Sequence, residues 1–162
     1  MIDDIDRKIL QILQDDARTS NAEVARMVGM APSAVFERIR KLEQKGVILG
    51  YTARLDPHAL GLGLLAFVFV RAEDRKGAPW TETALAGIAG VQEVHNIAGE
   101  DCFLVKVRAP NTESLGSLLR DGFKSLKTVS STRTTIVLQT VKETSQLPLP
   151  LPRGEEVELS NA

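Results

Sequence analysis

The most constraining feature of this sequence is a very short interruption between two helical segments near its start. Ser20 and Glu23 fit a capping box at the start of the first segment, and Gly29 suits the left-handed position that ends a helix. Pro32 follows almost at once and favours the first position of a new helix, which Gly46 ends. Because only a tight turn fits between the segments, the sequence predicts a compact pair of helices.

The second helix of this pair, predicted over residues 32–45, has one apolar and one polar face. At about 100° per residue, the apolar face contains Ala31, Val35, Ile39 and Leu42. The polar face contains Ser33, Glu37, Arg40, Lys41 and Gln44. An earlier amphipathic helix, with Asp3 or Asp4 as N-cap, is predicted from the spacing of Ile5, Ile9, Ile12 and Leu13. Residues 47–55 then predict a short β segment that would form a wing.

These elements fit a helix-turn-helix, whose second helix enters the major groove of DNA. Residues near the start of that helix reach base edges, and the candidates are Pro32, Ser33, Ala34 and Glu37. Three basic residues are candidates for phosphate contacts, or for guanine: Arg38, Arg40 and Lys41. The net charge of the chain is -1, but basic residues outnumber acidic ones over residues 18–54. Periodicity alone fits a plain helical hairpin with a solvated charged face equally well.

The second half predicts the order strand, helix, strand, strand, helix, strand. The segments are residues 64–70, 79–88, 91–98, 103–108, 112–123 and 132–141. This is the order of a ferredoxin-like split βαβ sheet, so the fold class is α+β. The predicted organisation is a winged helix-turn-helix over residues 1–55, a linker over 56–63, the sheet domain over 64–146 and a Pro-rich, acidic tail over 147–162.

The first strand of this sheet is apolar on both faces, because Ala66 and Val68 alternate with Phe67 and Phe69. Two helices cover only one face of a four-stranded sheet, and a second copy of the chain is the simplest cover for the other. We therefore expect at least a homodimer. Cover by the tail of the same chain is the alternative, and the proline alternation predicts that this tail is extended, either disordered or laid along a neighbouring subunit.

Several classes of protein are not expected from this sequence. No apolar run approaches the ~20 residues that span a bilayer, and the start of the chain is acidic where a signal peptide is basic, so we expect a cytoplasmic protein. Cys102 is the single cysteine, and His58 and His95 lack ligand spacing, so neither a metal nor a disulfide is expected. No triad, phosphate loop or carboxylate pair suggests an enzyme, and no cofactor is predicted.

Three motifs give the chain a long, ordered resemblance to a known family. They are D-x-x-D-x-x-I-L from Asp3, R-I-R-K-L-E from Arg38 and G-V-I-x-G-Y from Gly46. The sequence resembles the Lrp/AsnC family, the leucine-responsive and asparagine-synthase regulators, as far as about Val141. The resemblance favours DNA binding over the plain hairpin. It implies a nucleoid-associated, sequence-specific transcription regulator that forms dimers and often octamers and that binds a small amino acid between its effector domains.

The resemblance also implies where the amino acid binds. The family's glycine turn corresponds to Gly99, Glu100, Asp101 and Cys102, and its threonine-bearing last strand to Thr132 and Thr134. Backbone donors or hydroxyls suit the ligand's carboxylate, and acidic groups suit its ammonium. Cys102 stands where the family often has Asp, and Ala31, where the family often has Ser, cannot cap the recognition helix. An architectural DNA-binding protein without an effector is the alternative function.

Overall fold

The computed structural model describes residues 2–73 and 81–149. The chain forms two compact units: Met1–Ala53 with the described chain from Glu143 onward, and Arg54–Lys142. We call them the helical unit and the sheet unit. No helix in the described ranges is long and apolar enough to cross a membrane.

Three helices build the helical unit: α1 (Asp4–Asp15), α2 (Asn21–Val28) and α3 (Pro32–Gln44). Their apolar faces meet in a small core of fully or nearly buried side chains, namely Ile9, Val24, Ala25, Val35 and Ile39. Gly29 ends α2 at φ 70°, in the left-handed region, and the N–H of Met30 donates to Ala25 C=O at 2.9 Å. Pro32 occupies the first turn of α3, as predicted. Ala31 precedes it without a side-chain capping bond.

The capping box predicted at the start of α2 is only half formed. Ser20 Oγ accepts from the N–H of Glu23 at 3.2 Å, but the return bond is absent because Arg26 holds the Glu23 carboxylate, with Nε donating at 3.0 Å. The complete box is at α1, where the N–H of Asp6 donates to Asp3 Oδ1 at 2.8 Å and the N–H of Asp3 donates to Asp6 Oδ2 at 3.2 Å. The reciprocal half of the Ser20–Glu23 prediction was therefore wrong.

The β segment predicted at residues 47–55 is not a strand in the structure. A strand requires a neighbour that pairs with its backbone, and no strand pairs with this segment anywhere in the described ranges. Tyr51 instead holds the segment near α3, since its hydroxyl donates to Glu43 Oε1 at 3.0 Å.

The predicted ferredoxin-like order of the sheet unit is confirmed. Its strands β1 (Leu64–Ala72), β2 (Val91–Asn96), β3 (Phe103–Ala109) and β4 (Val129–Ile136) form one antiparallel sheet in the order β2-β3-β1-β4. Among the described residues, two helical segments pack on one face: α4 (Thr81–Ala86), and α5 (Thr112–Ser117) with its π-helical continuation Leu118–Phe123. The start predicted for α4, residues 79 and 80, lies outside the described residues.

The last strand begins and ends earlier than the predicted residues 132–141. Its length follows from its partner, because β4 pairs with β1 from Ala72↔Val129 to Ala66↔Ile136. β1 starts at Leu64, which the same register places opposite Leu138, so the described residues beyond Leu138 have no strand to pair with there. The C-terminal segment then returns to the helical unit, where Gln14 Oε1 accepts from the N–H of Leu147 at 2.7 Å and Gln146 Nε2 donates to Gln14 C=O at 3.0 Å.

Candidate nucleic-acid interface and effector turn

The outer face of α3 carries the residues predicted to contact DNA. Five of them are exposed: Pro32, Ser33, Glu37, Arg40 and Lys41; Ala34 is half-buried. The opposite side of the helix is buried at Val35, Ile39 and Leu42. Helical periodicity therefore separates a packed side from a solvent-facing side, and the solvent-facing side starts at a helix N-terminus, which favours a phosphate.

Arg40 is loosely held on this face. Its side chain is 54% exposed, and its ion pair with Glu37 spans 3.4 Å between Nη1 and Oε1. An exposed pair of this kind contributes little to stability, so the guanidinium is available to another anion at small cost.

Arg38 lies two residues away in a different environment. Its Nη1 donates to Asp3 Oδ2 and to Asp6 Oδ1, both at 2.7 Å, and its side chain is 29% exposed. These two hydrogen bonds raise the pKa of Arg38. The pKa of Asp3 is lowered, first by the backbone N–H of Asp6 and then by the Arg38 guanidinium. Arg38 is thus bound to two carboxylates at 2.7 Å, more closely than Arg40 is bound to Glu37.

Sequence reasoning missed the partnership between Asp3, Asp6 and Arg38. The sequence did contain a signal, because two acidic residues three positions apart at a helix start lie on one face, and one of them is enough for an N-cap. Their partner, however, lies 35 and 32 residues further along the chain, a separation that local patterns do not resolve.

The predicted effector turn, Gly99 to Cys102, is held by two arginines of the sheet. Gly99 has φ 142°, which favours glycine. Arg71 donates to the Glu100 C=O at 3.0 Å, and Arg133 donates to Asp101 Oδ2 at 3.0 Å while lying 3.9 Å from the centre of the Phe69 ring.

Cys102 ties the turn to the end of β1. Its N–H donates to Val70 C=O at 2.8 Å, and its Sγ lies 3.3 Å from Ala72 O and 3.4 Å from Ala72 N. The thiol of Cys102 therefore packs against backbone.

Thr132 and Thr134 lie on one face of β4, as their spacing predicts. Their cross-strand partners are Val70 and Val68, which belong to the buried core, so both threonines share the helix-covered face. Arg133 points to the other face with Asp101. The structure of one chain does not bring the threonines and the turn together, and no hydrogen bond among the described residues joins them.

Comparison with known proteins gives an independent assignment of both units. The profile of a winged helix-turn-helix DNA-binding family matches residues 2–48, and that of the Lrp/AsnC ligand-binding domain matches residues 65–147. An HTH-type transcriptional regulator, FL11, of Pyrococcus horikoshii is 41% identical over 150 residues, which cover 91% of this chain and 97% of the relative.

Solved structures agree with this assignment. A transcriptional regulator of Neisseria meningitidis in complex with L-Met superposes with a TM-score of 0.86 at 29% identity, covering 91% of this chain and 97% of its own. A feast or famine regulatory protein of M. tuberculosis complexed with L-methionine gives a TM-score of 0.84 at 35% identity, covering 91% and 99%. The chain belongs to the Lrp/AsnC family, whose members are DNA-binding transcription regulators with an amino-acid-binding domain and not enzymes.

Proposed function

We propose that α3 contacts DNA through Pro32, Ser33, Ala34 and Glu37 at the bases and through Arg40 and Lys41 at the phosphates. The observation that carries this assignment is the exposure of this face, next to a buried side that fixes the helix in the unit. Arg40 and Lys41 lie a turn beyond the base-contacting residues, where side chains reach the DNA backbone. Arg38, the third predicted phosphate contact, is instead bound to Asp3 and Asp6.

Charge reversal tests this docking face. The double variant Arg40→Glu, Lys41→Glu places two carboxylates against phosphates, and we expect binding to a duplex selected from a random pool to fall by more than about a hundredfold. The matched control is Lys124→Glu, Lys127→Glu, two exposed cations of the sheet unit, which changes the net charge equally. Equal losses in both variants would show a non-specific effect of charge and contradict the assignment.

We further propose that this chain responds to a small amino acid, with L-methionine as the first ligand to test, because two structural relatives were solved with it. Asp101 is the acidic group of the turn best placed for an ammonium, since its side chain is 22% exposed against 92% for Glu100. Gly99 and Cys102 supply turn backbone, and Thr132 and Thr134 supply hydroxyls. The ligand-binding profile over residues 65–147 favours this response over the effector-free architectural function.

A thermal-shift titration with L-methionine and L-leucine tests the response. Binding at a hundred times Kd stabilises the folded state by about 2.7 kcal/mol, a shift of several degrees. Asp101→Asn should reduce this shift, and Asp121→Asn, which removes an exposed carboxylate elsewhere in the sheet unit, should preserve it. A shift that is unchanged in Asp101→Asn would exclude the turn as the ammonium site.

We also propose that the protein forms a homodimer that assembles to an octamer and associates with the nucleoid. The half-buried Phe67 and Phe69 on the sheet face away from the helices support an apolar interface between copies. Because the two halves of the predicted effector site lie apart in one chain, a second subunit is the natural source of the missing half. Light scattering with and without L-methionine measures the assembly directly, and a monomer under all conditions would exclude it.

A further inference from the structure

The capping box of α1 and the Arg38 guanidinium form one closed network in the helical unit. Each carboxylate uses one oxygen for the box and the other for Arg38: Asp3 Oδ1 accepts from the Asp6 N–H and Oδ2 from Arg38, while Asp6 Oδ2 accepts from the Asp3 N–H and Oδ1 from Arg38. All four carboxylate oxygens therefore have a donor. The network joins the start of α1 to the middle of α3, across the unit.

Moving Arg38 to a DNA phosphate would break this network. The Asp6 side chain is 12% exposed, so the loss of its cation leaves a carboxylate with little access to water. Removing one partner of a poorly solvated ion pair is costly because the remaining charge is uncompensated. Within the part of the chain that the structure describes, Arg40, at 54% exposure and with a 3.4 Å ion pair, has no comparable constraint.

We propose that Arg38 is a positioning residue and not a phosphate contact. The Asp3–Asp6–Arg38 network fixes α3 against the start of α1 and thereby sets the angle at which the first turn of α3 meets the DNA groove. This inference rests on the proposed function, in which α3 is the helix that contacts bases. Misplacing such a helix by a small distance weakens contacts to specific bases more than it weakens attraction to phosphates.

The proposal and simple electrostatics predict opposite results for the loss of both carboxylates. If Arg38 contacted phosphate, Asp3→Asn with Asp6→Asn would release it and remove two negative charges near DNA, so binding would become tighter. If Arg38 positions α3 through these acids, the same variant binds the selected duplex more weakly. Asn caps a helix about as well as Asp, so the substitution removes the charge and keeps the cap.

The first measurement is the affinity of the full-length protein for the selected duplex and for a mixed-sequence duplex. We expect the double variant Asp3→Asn, Asp6→Asn and the single variant Arg38→Gln each to lose roughly tenfold in affinity for the selected duplex. The triple variant should lose no more, because the effects of coupled residues are non-additive. Affinity for the mixed-sequence duplex should change much less. The control, Asp4→Asn with Asp15→Asn, removes two exposed carboxylates of the same helix. It should retain the wild-type ratio of the affinities for the selected and the mixed-sequence duplex. Equal or tighter binding by Asp3→Asn, Asp6→Asn would overturn the proposal.

The salt dependence of DNA affinity gives a measurement that a loss of stability does not change. Removing one phosphate contact lowers the slope of log K against log salt concentration by about 0.9. We expect this for Arg40→Gln, whereas Arg38→Gln should retain the wild-type slope. A slope lowered equally by Arg38→Gln would make Arg38 a phosphate contact.

DNA binding tests the proposed function, and thermal unfolding tests the network. If Arg40→Glu, Lys41→Glu leaves DNA binding intact, the proposed docking face is wrong. The network is tested independently of DNA by the coupling between Arg38→Gln and Asp3→Asn, Asp6→Asn in the unfolding midpoint. Additive midpoint shifts would mean that the residues do not act together, and the positioning role would be excluded.

Discussion

In the helical unit the basic residues of α3 have two different environments. Arg38 is bound by two carboxylates, whereas Arg40 and Lys41 lie on the exposed face. In the sheet unit the predicted effector residues lie on two faces of the same sheet, with Asp101 bound to Arg133 on one and Thr132 and Thr134 on the other. The proposed DNA-contacting residues lie on one helix, whereas the two halves of the proposed effector site lie apart within one chain.

The two units have separate hydrophobic cores. The largest expected effect of a single substitution on the free energy of unfolding is in the core of the sheet unit. Phe123 is fully buried there, and Phe123→Ala should lower the free energy of unfolding by about 3–5 kcal/mol. Because Phe123 belongs to the sheet-unit core only, amide exchange in β1 and β3 should rise while exchange in α1 to α3 stays near wild type. Equal loss of protection in both units would show that they unfold together.

The matched change in the helical unit is Ile9→Ala, also at a fully buried position, with an expected loss of about 2–5 kcal/mol. Here amide exchange should rise in α1 to α3, DNA binding should weaken, and the thermal shift with L-methionine should persist. Ile12→Ala, at a half-buried position, serves as the control and should cost less. A larger loss for Ile12→Ala would contradict the placement of this core.

The two units also differ in how well the sequence predicted the ends of their helices and strands. Asp3, Gly29 and Pro32 fix helix ends through local interactions, so the sequence predicted the start of α1 and both ends of α2 and α3 to within about one residue. The end of β4 depends on where β1 starts, more than sixty residues earlier, and it was placed five residues too far along. Local chemistry determines the first kind of boundary and tertiary pairing the second.

The same distinction between local chemistry and tertiary contacts applies to the site residues. The exposed face of α3 follows from helical period, so the exposure of Ser33, Glu37, Arg40 and Lys41 could be predicted without a structure. Arg38 has the same residue type and helix as Arg40, and only the distant Asp3 and Asp6 distinguish the two. Arg71 and Arg133 were missed as partners of the effector turn for the same reason, because register across β1 and β4 brings them to it.

A smaller effect is expected at the turn between α2 and α3. Gly29 has φ 70°, and a Cβ there would meet open space, so Gly29→Ala adds backbone strain but no clash. The left-handed conformation costs a non-glycine residue about 1–2 kcal/mol. The midpoint of denaturant unfolding should fall by a matching amount, and Gly29→Asn, which tolerates this conformation better, should recover part of it. An unchanged midpoint in Gly29→Ala would mean that α2 ends differently.

The smallest effect concerns acid stability, and it tests the network of the helical unit against a similar pair in the sheet unit. The Asp6 N–H and Arg38 lower the pKa of Asp3 below its ordinary value of 3.8. His95 and then Lys106 lower the pKa of Glu93 in the same direction. A carboxyl whose pKa is lower in the folded state stabilises the fold above its ordinary pKa, and this contribution disappears as the pH falls through the folded-state pKa.

Both units should therefore lose part of their stability in acid, and amide exchange in each unit separates the two. The Asp3 side chain is 52% exposed, so solvent screening keeps its contribution small. Asp3→Asn with Asp6→Asn should flatten the acid dependence of exchange in α1 to α3 and leave that of β2 and β3 unchanged. Glu93→Gln should do the reverse. If Asp3→Asn, Asp6→Asn leaves the acid profile of α1 unaltered, the carboxylates do not hold Arg38 in solution, and the contrast between Arg38 and Arg40 would disappear.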